Sequence, residues 1–147
     1  MSDRRLASIA EWQRAIDAEK YPLKLANNVN LTRDRGFLPV RLDSQSTGFE
    51  CFQDDAKETM SFLGISNFDH SWKHSLGFRW TGQPGELDAA WMAATAYAAA
   101  TGGIIFDHHE GKVFSPQQAR ETVRGIIRDG PTMKKAFEEI KRRFMVR

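Results

Sequence analysis

The chain has one cysteine, Cys51, so an intrachain disulfide is excluded. Set between Glu50 and Phe52 in a strand-like run, Cys51 reads as a small core residue and not as a reactive thiol. Long hydrophobic runs are also missing. The most apolar segment, Leu87 to Ala100, is alanine-rich, interrupted by Asp88 and too short to span a bilayer. The opening MSDRRLASIAEW carries two arginines but not the apolar stretch of a secretory signal. The expected location is the cytoplasm, with no membrane contact. Local signatures of catalysis are scarce as well. No Gly-x-Ser-x-Gly elbow occurs, and Asp54-Asp55 reads as solvated charge in a polar loop instead of a general acid/base pair. Thr101-Gly102-Gly103 precedes a strand, the reverse of the strand–glycine–helix order that cradles phosphates, and reads as a helix stop.

What the chain does have is enough for one core. At 147 residues it fits a single domain over 1–147, and a chain of that size buries roughly 70% of its unfolded surface without disulfide or metal. The charge is uneven. Residues from Lys112 onward carry ten Lys/Arg against four Asp/Glu, whereas the first 111 carry eleven against fifteen. A mildly acidic body is thus joined to a basic end.

The pattern along the chain is α+β. Ser8-Ile9-Ala10-Glu11 is a capping box in which Ser8 accepts from the Glu11 amide and Glu11 reaches back to the Ser8 amide. Ile9, Trp12 and Ile16 then recur at helical spacing, predicting a helix to about Lys20. Asn27 to Arg35 reads as loop. Phe37 to Leu42 alternates as a strand, with Pro39 pointing to an edge or bulge. Asp43 to Thr47 reads as a turn and Gly48 to Gln53 as the second strand of a hairpin. Asp54 to Trp72 reads as irregular, and Lys73 to Trp80 as a third strand. Leu87 to Thr101 is the strongest helix signal, with Leu87, Ala90, Trp91, Ala94 and Ala98 on one stripe packing closely against a sheet. Ile104–Asp107 and Lys112–Phe114 read as short strands around a turn. A helix capped by Ser115 runs to about Arg128, Asp129-Gly130-Pro131 breaks it, and Thr132 caps a last helix through about Phe144. The expected fold is therefore a small, mostly antiparallel sheet packed by the Ala-rich helix, with an N-terminal helix and two C-terminal helices.

Three clusters compete for a functional role. Asp107-His108-His109-Glu110 holds the densest set of ligand-type side chains, but neighbours in a tight turn point in different directions. It reads as a turn whose carboxylates cap amides, with no metal and no cofactor expected. A metal-dependent or hydrolytic enzyme centred on it is the alternative. Arg120, Arg124 and Arg128 form a ridge at i, i+4 and i+8, followed by Lys134, Lys135, Lys141, Arg142, Arg143 and Arg147. Acidic residues interrupt that field, so solvated surface is favoured over a basic protein-docking face, and that over nucleic-acid binding. The third cluster is the stretch Asp54 to Trp72, in which Asp54, Asp55, Glu58 and Asp69 accompany Phe62, Phe68 and Trp72. A loop so rich in large apolar groups either tucks onto the core or forms a contact surface, and these seven residues are the expected partner-binding set.

Phe78-Arg79-Trp80, the Ala-rich helix and Thr101-Gly102-Gly103-Ile104-Ile105-Phe106-Asp107-His108-His109-Glu110-Gly111 resemble a group of small bacterial proteins. These share a helix ending in Thr-Gly-Gly, a short strand, an Asp-x-x-Glu-Gly turn and a following helix. The early Trp12 and the Gly36–Pro39 and Gly48–Glu50 hairpin are similar too, so the resemblance covers most of residues 8–120. Members carry Pro-Gln where this chain has His108-His109. Such proteins are taken to be immunity proteins that neutralise toxins of interbacterial competition. The resemblance implies a non-catalytic cytoplasmic protein that binds a cognate toxin.

Overall fold

The computed structural model describes residues 1–30 and 36–145. Four strands form an antiparallel meander in the order β1 (Leu23–Leu25), β2 (Gly36–Leu42), β3 (Gln45–Asp55) and β4 (His74–Arg79). Helices α1 (Ile9–Ala18) and α3 (Glu86–Thr101) pack on the meander. Helix α2 (Ala56–Leu63) follows β3 directly and folds back on β3 and β4. A separate hairpin, β5 (Ile105–Asp107) and β6 (Lys112–Phe114), leads into α4 (Pro116–Met145). The α+β class and the antiparallel sheet packed by the Ala-rich helix are as expected.

Capping starts α1 as the residue types require: Ser8 Oγ accepts from the Glu11 amide at 3.1 Å. Glu11 reaches one residue further back than expected, accepting from Ala7 N–H at 2.6 Å and leaving Oε1 to meet Arg4 at 3.3 Å. Trp12 is fully buried and forms the hub of the core. Its ring meets Phe49 and Phe78 from the sheet and Tyr97 from α3, at centroid distances of 6.4, 6.0 and 5.4 Å. Its indole N–H donates to the Ala93 carbonyl at 2.9 Å, so a large apolar group is buried with its one polar atom satisfied.

Several expected boundaries shift. The hairpin turn is two residues, Asp43-Ser44, because Leu42 pairs with Gln45, and Asp43 takes the left-handed φ of 55° that such a turn needs. Strand β2 lies between β1 and β3, so Pro39 is neither on an edge nor in a bulge. Its carbonyl accepts from Ala26 N–H just past the end of β1. The missing proline N–H would face that same side, toward the Ala26 carbonyl, so this one rung just past the end of β1 has a single hydrogen bond in place of two. The loop expected over Asn27–Arg35 falls partly on residues 31–35, which lie outside the described residues. Two C-terminal helices were expected; α4 instead runs continuously with Pro131 inside it. The proline removes one backbone bond, to the Ile127 carbonyl, and the turns on either side remain helical.

The expected α3 stripe is divided. Ala90 and Ala98 are buried, Trp91 and Ala94 are half-buried and Leu87 is exposed. The face turned to the core is Ala89, Met92, Ala93, Ala96 and Tyr97. Gly102 ends the helix with a left-handed φ of 67°. Gly103 has a different reason for being glycine: a Cβ there would overlap the carbonyl of Met1, which crosses it.

Candidate functional site

The sheet curls against the β5–β6 hairpin and leaves a cleft of about 890 Å³. Its walls come from α2, from β3 and β4, from α3 and from the strand and turn Ile104–His109. One wall is apolar because α3 presents Ala90, Trp91, Ala94 and Ala98 there. The alanines leave room that larger side chains would fill, and Trp91 is fixed edge-on against Phe114 at 5.4 Å. The opposite lip combines Phe52 and Phe62 with Asp54, Asp55 and Glu58.

Local chemistry places the lip. Asp55 ends β3 and caps α2, its Oδ1 accepting from Glu58 N–H at 2.9 Å. Ala56 and Met60, one helical turn apart, are the buried side of that short helix. The opposite side therefore carries Glu58 and Phe62 outward. Phe62 is 88% exposed and Ile65, in the 3₁₀ turn Ile65–Asn67, is 68% exposed. Across β3 and β4, Phe52 lies over Gly77, where a Cβ would overlap its ring, and the Arg79 guanidinium sits 5.3 Å from the ring centroid.

Of the seven residues expected to bind a partner, the fold brings Asp54, Asp55, Glu58 and Phe62 to the cleft lip. Asp55, Glu58 and Phe62 are exposed, while Asp54 is half-buried. Phe68 is half-buried and stacks on Phe106 of the far wall at 5.4 Å. Asp69 is exposed beyond the cleft. Trp72 is half-buried, edge-on to His70 at 4.5 Å, with its indole nitrogen buried and without a partner among the described residues. The stretch thus divides: Phe68 and Trp72 tuck inward, and Phe62 with Ile65 stands out. The region read as irregular loop contains α2, and that helix makes the division.

The histidine turn contributes differently from a metal centre. Asp107 Oδ1 accepts from His109 N–H at 2.8 Å, closing the turn on its own backbone. His108 contacts Phe106 at 5.5 Å and His109 contacts Trp80 at 5.9 Å. The two rings are therefore engaged by different aromatics. Among the described residues no group of three or more His, Cys, Asp or Glu could hold a metal ion. The basic ridge is interrupted too. Arg120 is committed to a two-pronged pair with Glu19, with Nη2 to Oε1 at 2.8 Å, pinning α4 to the end of α1. Arg128 meets Asp129 at 3.2 Å, and Arg147 lies outside the described residues.

The polar groups around the cleft are mostly occupied in holding its shape. Glu86, at the start of α3, accepts from the amides of Thr81, Gly82 and Gln83 at 2.7, 3.2 and 3.3 Å. These backbone bonds hold its carboxyl below the usual value. Burial pushes the Cys51 thiol up to about 11 and lowers the His74 imidazole. Ser2 donates to the Arg4 carbonyl and Thr81 to Glu86. The cleft offers apolar walls and an acidic lip. Sequence reasoning missed Leu76, Phe78, Trp80, Trp91 and Phe106 as cleft residues; each carries an ordinary strand or helix signal. Comparison with known protein families, curated proteins and solved structures gave no match, so these residues and their geometry carry the functional reading.

Proposed function

We propose that this chain is a non-catalytic protein-binding domain, and that it acts as a cytoplasmic immunity protein that occludes a cognate toxin. The observation that carries the reading is Phe62, 88% exposed beside Ile65 and the acidic Asp55 and Glu58. Leaving a Phe side chain in water forgoes about 1.5–3 kcal/mol of burial, and a partner surface recovers it. Aromatic anchors framed by charge of one sign are the usual composition of an interface: the aromatic holds and the charges steer. The resemblance of the Thr101–Gly111 segment to immunity proteins supports the choice of partner class. No helix among the described residues is long and apolar enough to cross a membrane, which fits action in the cytoplasm.

The test uses the product of the neighbouring reading frame as the toxin. Phe62→Asp and Ile65→Asp should leave the melting temperature within a few degrees of the parent, because neither side chain is buried. Each should weaken toxin binding by 1–3 kcal/mol, measured by calorimetry, and the double variant should fail to protect cells. Full protection by the double variant would overturn this surface, and absence of any binding would overturn the partner class.

A further inference from the structure

One cation of this chain is held by an aromatic ring and a carboxylate together. Side chains alternate along β3, so Glu50 and Phe52 share the face turned away from the buried Phe49. Arg79 of β4 stands directly across from Glu50. Its guanidinium sits 5.3 Å from the centroid of the Phe52 ring, and Nη1 reaches Glu50 Oε2 at 3.8 Å. The ring offers its negative face to the cation, and the carboxylate beside it supplies the countercharge.

Helix α2 presents the same two parts without a cation. Phe62 and Glu58 are four residues apart, and Asp55 caps the helix three residues before Glu58, so all three fall on the side opposite Ala56 and Met60. A helical side chain covers the turn N-terminal to its own Cα, and for Phe62 that turn carries Glu58, with Asp55 ahead of it. Phe62 is 88% exposed, and both carboxylates are exposed. Asp55 uses one oxygen on the Glu58 amide. Neither carboxylate has an ion-pair partner among the described residues. Lys57, the cation of α2, lies about 100° round the helix from Glu58. Arg79 is engaged by Phe52 and Glu50.

We infer that Phe62, with Glu58 and Asp55, takes an arginine side chain of the partner protein. The inference rests on the protein-binding reading and names the group by which the partner engages. The guanidinium lies on the Phe62 ring and turns its N–H groups to the carboxylates, as Arg79 does with Phe52 and Glu50. Arginine suits the site better than lysine, because its plane matches the ring, its fork matches a carboxylate, and it is more weakly hydrated. A wholly apolar partner would strip water from two carboxylates and give them nothing in return. A second copy of this patch would set four carboxylates against one another. Ile65, 68% exposed just beyond α2, supplies apolar surface for the methylene stem of the arginine.

The probe is acetyl-arginine methylamide, titrated to about 100 mM because exposed cation–ring and ion-pair contacts are individually weak. It is added to the full chain carrying ¹³C-labelled phenylalanine, with Phe62→Leu identifying the Phe62 ring signals. Those signals should shift and saturate. Acetyl-lysine methylamide brings the same charge and ionic strength, and should bind at least about threefold more weakly. The double variant Asp55→Asn with Glu58→Gln keeps the helix cap and the side-chain shapes and loses both charges. It should bind the arginine probe at least about threefold more weakly than the parent, with a melting temperature within a few degrees of it. Unmoved Phe62 signals overturn the site, as does equal binding of the lysine probe or of the double variant. A toxin whose binding depends on Phe62 but not on Asp55 and Glu58 removes the arginine site and keeps the protein-binding reading. An arginine probe that saturates Phe62, in a chain that binds no toxin, keeps the site and removes the toxin.

Discussion

The two edges of the four-stranded sheet are finished in opposite ways. On the β1 edge, a side chain of α1 completes the ladder. Gln13 Oε1 accepts from Leu25 N–H at 2.8 Å and its Nε2 donates to the Leu23 carbonyl at 2.9 Å. One amide side chain does what a fifth strand would do, and the exposed Lys24, paired with Asp17 at 2.8 Å, puts charge on that edge. On the β4 edge, among the described residues, His74 pairs with Ser2. Leu76 and Phe78 face a cleft, and the strand is held from elsewhere: by β3, by Phe78 against Trp12, and by Glu86 on the loop that follows.

The largest effect is expected where both edges depend on one residue. Trp12→Ala removes the ring that α1 shares with Phe78 of β4 and takes away the indole donor to the Ala93 carbonyl, which keeps its helical bond within α3. It should cost about 3–5 kcal/mol in urea unfolding. A loss below about 1 kcal/mol would show that the edges are held independently. Gln13→Ala should cost less, about 1–3 kcal/mol, since it strands one donor and one acceptor at the partly buried β1 edge. It should also raise exchange at Leu25 N–H while leaving β4 unchanged. An equal response on both edges would dissolve the contrast between them.

The smallest effect concerns pH. The Glu86 carboxyl is held below its ordinary value of 4.5, chiefly by the Thr81 amide. Its contribution to stability is therefore fully present above that value and lost as pH falls through the folded-state value. Between pH 6 and pH 3 the loop after β4 should loosen, with Trp80 fluorescence reporting it. Glu86→Gln should flatten that part of the profile. A profile identical in the variant would assign the acid response to other carboxylates.

Much of the frame can be read from residue types alone. Ser8 with Glu11, and Ile9, Trp12 and Ile16 at helical spacing, define α1 because caps and periodicity act over a few residues. The same locality explains the Asp107 turn, the glycine after Thr101 and the start of α4 at Ser115-Pro116. Where the seven residues expected to bind a partner would stand was legible only in part. Asp54 to Trp72 announces its apolar content, but Phe62 and Trp72 look equivalent in the sequence. The placement of α2, with Ala56 and Met60 buried and Phe62 opposite, separates them. Strand β1 is likewise invisible, because three residues become a strand only when β2 lies on one side and Gln13 on the other.

The sequence by itself did not determine β1, α2 or the continuity of α4 through Pro131; it determined α1, α3, the start of α4 and the approximate places of β2 to β6. These follow from side-chain sterics, capping and hydrophobic period, all local properties. Only the tertiary structure decided that Met1–Ser2 lies between His74 and Ile104. Those contacts join residues 72 or more positions apart through backbone groups, and backbone groups are the same in every residue.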